Sequence, residues 1–133
     1  LSLRRQRQMC IRDRHGALPE VKKLSEINLI EDGDRNWFQI TWGDFSDTNG
    51  YYLGIDTITS RPKFGSDYFY TIMKKLNKKI LIRSHQPQAP EMMYNKRCLT
   101  IFTSSFYERR RTVAIVDLSK NIKTAEDIMI EDI

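Results

Sequence analysis

The chain has 133 residues, 22 of them basic and 17 acidic, and a formal net charge of +5. No apolar run approaches the roughly 20 residues that a membrane-spanning helix needs, and no signal peptide is visible. The sequence therefore excludes a protein held in the membrane by helices. It predicts a soluble, cytoplasmic protein with no membrane partner.

The first fourteen residues differ in character from the rest of the chain. They hold five Arg and one Asp, with no apolar periodicity and no helix cap, and Arg4 to Asp13 resembles one translated frame of a transposon-type sequencing-library adapter. We therefore expect residues 1–14 to be an artefactual or disordered segment that packs against nothing, with natural sequence entering mid-gene near His15.

Setting this segment aside changes what the composition implies. Residues 15–133 hold 17 basic and 16 acidic side chains, so the charge that would favour a nucleic-acid-binding protein almost vanishes. Cys98 is then the one remaining cysteine, which excludes a disulfide framework and a thiolate metal cluster and predicts a buried thiol. About 119 residues suffice for one hydrophobic core.

The first half of residues 15–133 gives mixed signals. His15 and Gly16 read as a strand-to-loop turn, and residues 19–30 have an approximately helical apolar spacing. The aromatic stretch 37–42 fits a helix or a strand, and residues 43–50 predict a long polar loop. Residues 66–78 predict the clearest helix, with Ser66 as N-cap and one apolar face.

The second half predicts mostly strands. Residues 79–82 predict a short strand buried on both faces, because three apolar residues stand together without alternation. Residues 92–94 and 97–103 predict a hairpin around a two-residue turn at Asn95 and Lys96. Further strands are predicted over 112–118 and within 122–130. The fold class is α/β, a mixed sheet with an antiparallel C-terminal meander.

His85 follows the buried strand, at the end where chemistry sits in α/β proteins. Arg83 lies two residues earlier, on the same side of the strand. A histidine after a strand is more often structural than catalytic. His15 also stands at a predicted strand exit, however, and two such histidines favour a shared metal or acid–base site.

Several short segments follow one another in a recognisable order. They are His15-Gly16-Ala17-Leu18, Ile40-Thr41-Trp42-Gly43-Asp44-Phe45, Phe64-Gly65, Arg83-Ser84-His85-Gln86, Thr100-Ile101-Phe102-Thr103-Ser104-Ser105-Phe106-Tyr107 and Val113 to Asp117. They resemble in turn the HGGL, LLWSDP, FG, R-[AS]-H-[QE] and TVFSAPNY elements and the closing strand of the phosphoprotein phosphatases. These are metal-dependent Ser/Thr phosphatases of calcineurin-like fold. Departures such as Ala17, Gly43 and Phe45 indicate a divergent, prokaryotic-type member.

The resemblance implies the C-terminal part of a calcineurin-like metallophosphoesterase sandwich, over residues 15–133. In the family, two divalent cations (Mn, Fe or Zn) activate a water and polarise the phosphoryl oxygens. The two metal-ligating histidines fall on His15 and His85. The phosphate-clamping arginine falls on Arg61, whose offset from Gly65 is shorter than the family's. The tyrosine at the substrate mouth falls on Tyr107. A phosphorylated protein or another phosphoester is the implied substrate.

The family's other ligands come from GDxHG, GDxxDRG and GNHE motifs, which lie upstream of HGGL and do not occur here. The sequence thus predicts an incomplete fragment of a protein Ser/Thr phosphatase that is inactive alone. The alternatives are a diadenosine tetraphosphatase-like hydrolase, which shares much of the motif set, and a non-catalytic binding module using the aromatic loop 43–61. A nucleic-acid binder is disfavoured once residues 1–14 are set aside.

Overall fold

The computed structural model describes residues 11–107 and 110–133, which form helices and three β-sheets. In chain order the strands and α-helices are β1 (Ile11–Arg14), α1 (Arg35–Trp42), β2 (Asp44–Phe45), β3 (Tyr52–Ile55), β4 (Pro62–Phe64), α2 (Ser66–Lys75), β5 (Ile80–Arg83), β6 (Met92–Met93), β7 (Cys98–Thr100), β8 (Thr112–Ile115) and β9 (Met129–Asp132). Two 3₁₀ helices span Leu24–Leu29 and Ala125–Asp127. None of the helices in this part of the chain is long and apolar enough to cross a membrane.

The main sheet has four strands in the order β1-β5-β7-β6. Strands β1, β5 and β7 are parallel neighbours, whereas β6 runs antiparallel to β7. The sheet is therefore mixed, as the sequence predicts, and the carboxyl ends of its three parallel strands lie at one edge. His15 and His85 lie at that edge, just after β1 and β5.

The prediction that residues 1–14 pack against nothing is wrong for the last four of them. Ile11–Arg14 pairs along its length with β5, in register from Ile11 opposite Ile80 to Arg14 opposite Arg83. Strand pairing uses backbone groups, so a segment without apolar periodicity can still satisfy the edge of a buried parallel strand. Residues 1–10, and with them Cys10 and most of the adapter-like string, lie outside the described residues.

The strand predicted to be buried on both faces is confirmed. Leu81 belongs to a core cluster with the buried residues of α2, and Ile80 and Ile82 belong to a second cluster on the opposite face. This alternation follows from the two-residue period of a strand. The second cluster includes Ile122 and Ile128, so the C-terminal segment covers the sheet face that α2 leaves open.

Residues 43–64 are more ordered than the polar loop predicted for their first part. Strands β2, β4 and β3 form a second sheet in that order, with β2 parallel and β3 antiparallel to β4. Phe45 and Phe64 are each 1% exposed. Strands of two to four residues are too short to show a period, so single buried aromatics define this sheet.

The C-terminal strands form a separate antiparallel pair rather than continuing the main sheet. The predicted strand 112–118 ends at Ile115, and the predicted 122–130 region contains a 3₁₀ helix before β9 begins at Met129. The hairpin between β6 and β7 has positive φ at Tyr94, Asn95 and Lys96, so its turn is longer than the two residues predicted.

Helix α1 resolves the ambiguous stretch 37–42. Asp34 is its N-cap, with Oδ1 accepting a hydrogen bond of 2.6 Å from the Trp37 N–H. Helix α2 begins one residue after its N-cap Gly65, so the predicted cap Ser66 is the first helical residue.

Asp34→Ala is expected to lower the free energy of unfolding by about 1 kcal/mol, because an N–H at the start of α1 loses its acceptor. Asp34→Asn keeps an oxygen in the same place and should cost only a few tenths of that loss. Urea denaturation followed by circular dichroism measures both. Equal destabilisation by the two variants would contradict the capping role.

Candidate metal site

The two histidines meet at the carboxyl edge of the main sheet. His15 directly follows β1 and His85 lies two residues after β5, and the Ser84 N–H donates to the His15 carbonyl at 3.2 Å. Their rings face each other, with His15 Nε2 and His85 Nδ1 3.1 Å apart and ring centroids 4.8 Å apart. The parallel pairing of β1 and β5 thus brings both predicted site histidines together.

The segment after His15 is fixed against the end of α1. The N–H groups of Gly16 and Ala17 donate to the carbonyls of Ile40 and Gln39, at 2.8 and 3.1 Å. Both carbonyls belong to the last turn of α1, where the Gln39 carbonyl also accepts from the Gly43 N–H at 2.9 Å. A Cβ at Gly43 would lie 2.6 Å from the Ala17 Cβ, so the close approach requires glycine there.

His85 has an unusual backbone for a non-glycine residue, with φ at +81°. It is 8% exposed, and its ring meets the Trp42 ring edge-on at a centroid distance of 5.6 Å. Non-glycine residues in this region are uncommon and concentrate at functional sites. The surrounding contacts therefore hold His85 in a conformation that its own backbone disfavours.

Asp44 stands on the other side of the His85 ring. Its Oδ1 lies 3.6 Å from His85 Nε2, which is longer than a hydrogen bond, and the backbone of Trp42 also lies within hydrogen-bonding reach of the His85 ring. His85 therefore presents Nδ1 towards His15 and Nε2 towards a carboxylate. A histidine with one nitrogen facing a carboxylate and the other facing a second histidine matches the outer-shell arrangement of metal-ligating imidazoles.

Sequence reasoning assigned no role to Asp44. The residue was visible in the Trp42-Gly43-Asp44 segment, but nothing in the sequence placed β2 beside the end of β5. Asp44 is the buried carboxylate that the spacing of the histidines alone could not reveal.

Burial and nearby cations keep the two imidazoles neutral. Desolvation, reinforced by Arg61, His15 and Arg83, lowers the pKa of His85 to about 4. The pKa of His15 is also lowered, first by desolvation and then by Arg83 and Arg61. A neutral imidazole is the form that binds a metal ion, so both rings are ready to act as ligands at neutral pH.

The metal-free chain is expected to lose stability as the pH falls from about 6.5 to about 4. In this window unfolded His85, with a pKa near 6.5, binds a proton that the folded chain excludes, because its folded pKa is about 4. The contribution of His85 to stability is therefore fully present above its pKa in the unfolded chain. It is lost as the pH falls towards and through its pKa in the folded chain. The raised pKa of Asp44, caused mainly by desolvation, acts in the opposite direction.

Urea midpoints measured with a chelator at several pH values between 7 and 4 check this expectation. His85→Gln should flatten the dependence more than His15→Gln, because the His15 side chain is the more exposed of the two. A pH profile that His85→Gln leaves unchanged would contradict the assignment.

Arg61 lies within reach of this group. Its guanidinium carbon is 5.6 Å from the centre of the Trp42 ring, and its charge is among those that lower the pKa of both histidines. It is partly buried and stands directly before β4. The structure therefore places Arg61 beside the histidines, despite its short offset to Gly65.

An open cleft of about 570 Å³ adjoins the histidines. It is lined by His15, Ile40, Thr41, Ile82, Arg83, Ser84 and Ile101. Three of these seven residues are isoleucines and the other four are polar or charged. The cleft leaves His15 accessible from solvent.

Tyr107 is not brought into this group by the contacts that the structure describes. It is 45% exposed, and its ring packs edge-on against Phe102 and Phe106 at 5.5 and 5.2 Å. Residues 108 and 109, which follow it, lie outside the described part of the chain. Three of the four predicted site residues thus lie near one another, and the site roles of all four stay predictions.

The histidine pair supplies only part of the coordination shell that a metal ion needs. Across residues 11–107 and 110–133, no cluster of three or more His, Cys, Asp or Glu side chains is arranged to hold a metal ion. Two neutral nitrogens from one side would leave at least two positions of a four-coordinate ion to other groups. Bridging oxygen ligands would have to come from elsewhere.

Comparison with known proteins identifies the fold. No protein-family model and no curated protein matches the sequence. Among solved structures, the chain is similar to a protein serine/threonine phosphatase from Saccharomyces cerevisiae with similarity to human phosphatase PP5. The TM-score is 0.65 and the identity 19%, over 90% of this chain. The chain spans 42% of the length of that structure.

This likeness and the mixed sheet confirm the predicted fold class, the C-terminal part of a calcineurin-like fold. At this level of identity the comparison establishes the fold, and the chemistry has to be argued from the residues.

Proposed function

We propose that this chain supplies His15 and His85 as ligands to one divalent cation in the two-metal centre of a phosphoester hydrolase. The observation that carries the proposal is the 3.1 Å separation of His15 Nε2 and His85 Nδ1. Two nitrogens bound to one ion at about 2.0–2.2 Å, with an angle of roughly 90–110° between them, lie about 2.8–3.6 Å apart. Manganese, iron and zinc all accept imidazole ligands.

The substrate class we propose is a phosphorylated Ser or Thr side chain of a protein, in the cytoplasm. The cations of such a centre, when bound, activate water and neutralise the charge of the transferred phosphoryl group. Asp44 holds the His85 ring so that Nδ1 faces His15. Arg61 donates two parallel hydrogen bonds to phosphate oxygens, which its planar guanidinium suits better than an ammonium group would.

A zinc titration of the tag-free chain tests the histidine assignment. The sequence contains two histidines, so imidazole binding can come from no other residue. We expect weak binding by the parent and a loss of tenfold or more in His15→Ala and in His85→Ala. The control is Gln88→Ala, at an exposed position of the loop after His85. Histidine variants that bind zinc as well as the parent would overturn the proposal.

Arg61→Ala is expected to lower kcat/KM about 100-fold in a form of the chain joined to an upstream half that supplies the missing motifs. The reason is the loss of charge stabilisation on the phosphoryl oxygens. Steady-state kinetics on a phosphopeptide measure the change. Arg35→Ala removes an exposed arginine that pairs with Glu20 and should leave the rate unchanged. An unchanged rate in Arg61→Ala would show that Arg61 is not the phosphate clamp.

A further inference from the structure

We propose that Gln86 is a positioning residue that fixes the backbone of Phe45, and with it the preceding Asp44, against the His85 segment. The inference rests on the proposed metal role of His85. The side-chain amide of Gln86 pairs with the backbone of Phe45 on both sides. Its Oε1 accepts from the Phe45 N–H at 3.0 Å, and its Nε2 donates to the Phe45 carbonyl at 2.9 Å.

The orientation of this amide is fixed by Arg83. Arg83 Nη2 donates to Gln86 Oε1 at 2.8 Å, so the oxygen receives two donors while the nitrogen faces a carbonyl. A flipped amide would set its NH₂ group against both donors. Arg83 is 1% exposed, and its guanidinium carbon lies 5.3 Å from the centre of the Phe45 ring. The buried Arg83 guanidinium therefore contacts both the Gln86 amide and the Phe45 ring.

The order of residues in the chain links the Gln86–Phe45 contact to the candidate metal site. Gln86 immediately follows His85, and Phe45 immediately follows Asp44. Joining Gln86 to Phe45 thus fixes the two preceding residues relative to each other, where Asp44 Oδ1 stands 3.6 Å from His85 Nε2. Phe45 is itself anchored by edge-on ring contacts with Phe69 and Tyr94, at 5.8 and 5.7 Å.

The hydrogen bonds between Gln86 and the Phe45 backbone also explain how His85 keeps its backbone conformation. With φ at +81° the residue needs support from its neighbours. Arg83 and Gln86 flank it within three residues and tie it to β2. Without the amide, the loop could relax and turn His85 Nδ1 away from His15.

The test compares the zinc affinity of the whole 133-residue chain with that of Gln86→Leu and Gln88→Leu. Leucine is an apolar side chain of roughly similar size that cannot hydrogen-bond to the Phe45 backbone. Loss of a group that bonds directly to a metal ligand typically weakens metal binding ten- to hundredfold. Because Gln86 acts on His85 only through Phe45 and Asp44, we expect a loss at the lower end, about tenfold, for Gln86→Leu. Gln88→Leu makes the same change at an exposed position in the same loop and should bind zinc like the parent.

Two further measurements separate positioning from simple loss of folding. The visible absorption of the Co²⁺-loaded chain reports the ligands and geometry around the ion, so Gln86→Leu should change the band positions and not merely their intensity. Gln86→Glu keeps an oxygen for the Phe45 N–H and for Arg83. It should recover most of the affinity and the parent spectrum. Gln86→Met keeps the unbranched shape of glutamine but makes neither bond to the Phe45 backbone, so it should lose affinity as Gln86→Leu does, and it stands as the test if Gln86→Leu does not fold.

The outcomes distinguish this inference from the proposed function. If His15→Ala loses zinc while Gln86→Leu, or Gln86→Met in its place, matches the parent in affinity and spectrum, the positioning role of Gln86 is overturned and the metal site stands. If His15→Ala binds zinc as the parent does, the metal site falls, and the proposed role of Gln86 falls with it.

Discussion

The chain alone, supplied with Mn²⁺, is expected to hydrolyse an aryl phosphate no faster than Mn²⁺ in buffer. Phosphoryl transfer depends on positioned charge and activated water rather than on covalent chemistry by the protein. In the part of the chain that the structure describes, the histidine pair has no third ligand arranged with it. Enzymes typically accelerate their reactions a million-fold or more, so under the proposed function nearly all of that factor should be missing.

The comparison for this experiment is the same chain joined to an upstream half carrying the GDxHG, GDxxDRG and GNHE motifs. We expect that form to turn over the substrate in a metal-dependent way and the short chain to show no turnover. Metal-dependent turnover by the short chain, abolished by a chelator, would contradict the incomplete-centre account.

Phe69→Ala is expected to lower the free energy of unfolding by about 3–5 kcal/mol, the usual cost of truncating a buried phenylalanine. Phe69 lies on the buried face of α2 with no exposed surface, and its ring stacks on Tyr94 at a centroid distance of 4.4 Å. It also supports Phe45, which follows Asp44. Since small domains are stable by only about 5–15 kcal/mol, this one change should bring the chain close to unfolding.

Phe106→Ala is the matched control. The Phe106 side chain is 85% exposed, so the same chemical change should alter stability by no more than about 0.5 kcal/mol. Urea denaturation followed by circular dichroism measures both variants. A loss below about 1 kcal/mol for Phe69→Ala would show that α2 is not packed as the structure has it.

The parts of the fold that could be predicted are those with long or unbroken apolar patterns. Helix α2 carries four buried residues at helical spacing, and β5 is apolar on both faces. In both cases the sequence itself records which faces are buried. Cys98 was likewise predicted to be buried, and burial raises the pKa of its thiol to about 12.

The parts that could not be predicted depend on contacts between distant segments. Strand β2 has two residues and exists because β4 lies beside it. Strand β1 pairs with β5 through backbone groups, although its side chains show no pattern. Pairing of this kind leaves no periodic trace in the sequence.

The candidate site shows the same division. His15 and His85 could be predicted to converge, because each follows a strand and parallel strands end at one edge. The roles of Asp44 and Gln86 could not, since both depend on β2 lying against the loop after β5. For Tyr107 the motif suggested a position at the site, but the described contacts hold the ring against Phe102 and Phe106.

X-ray absorption at the zinc K-edge of the zinc-loaded chain tests most directly the claim that His15 and His85 share one ion. The account predicts two imidazole nitrogens at about 2.0–2.1 Å, one of them lost in His85→Ala. The contradicting result is a zinc environment with at most one imidazole, or one that His85→Ala leaves unchanged.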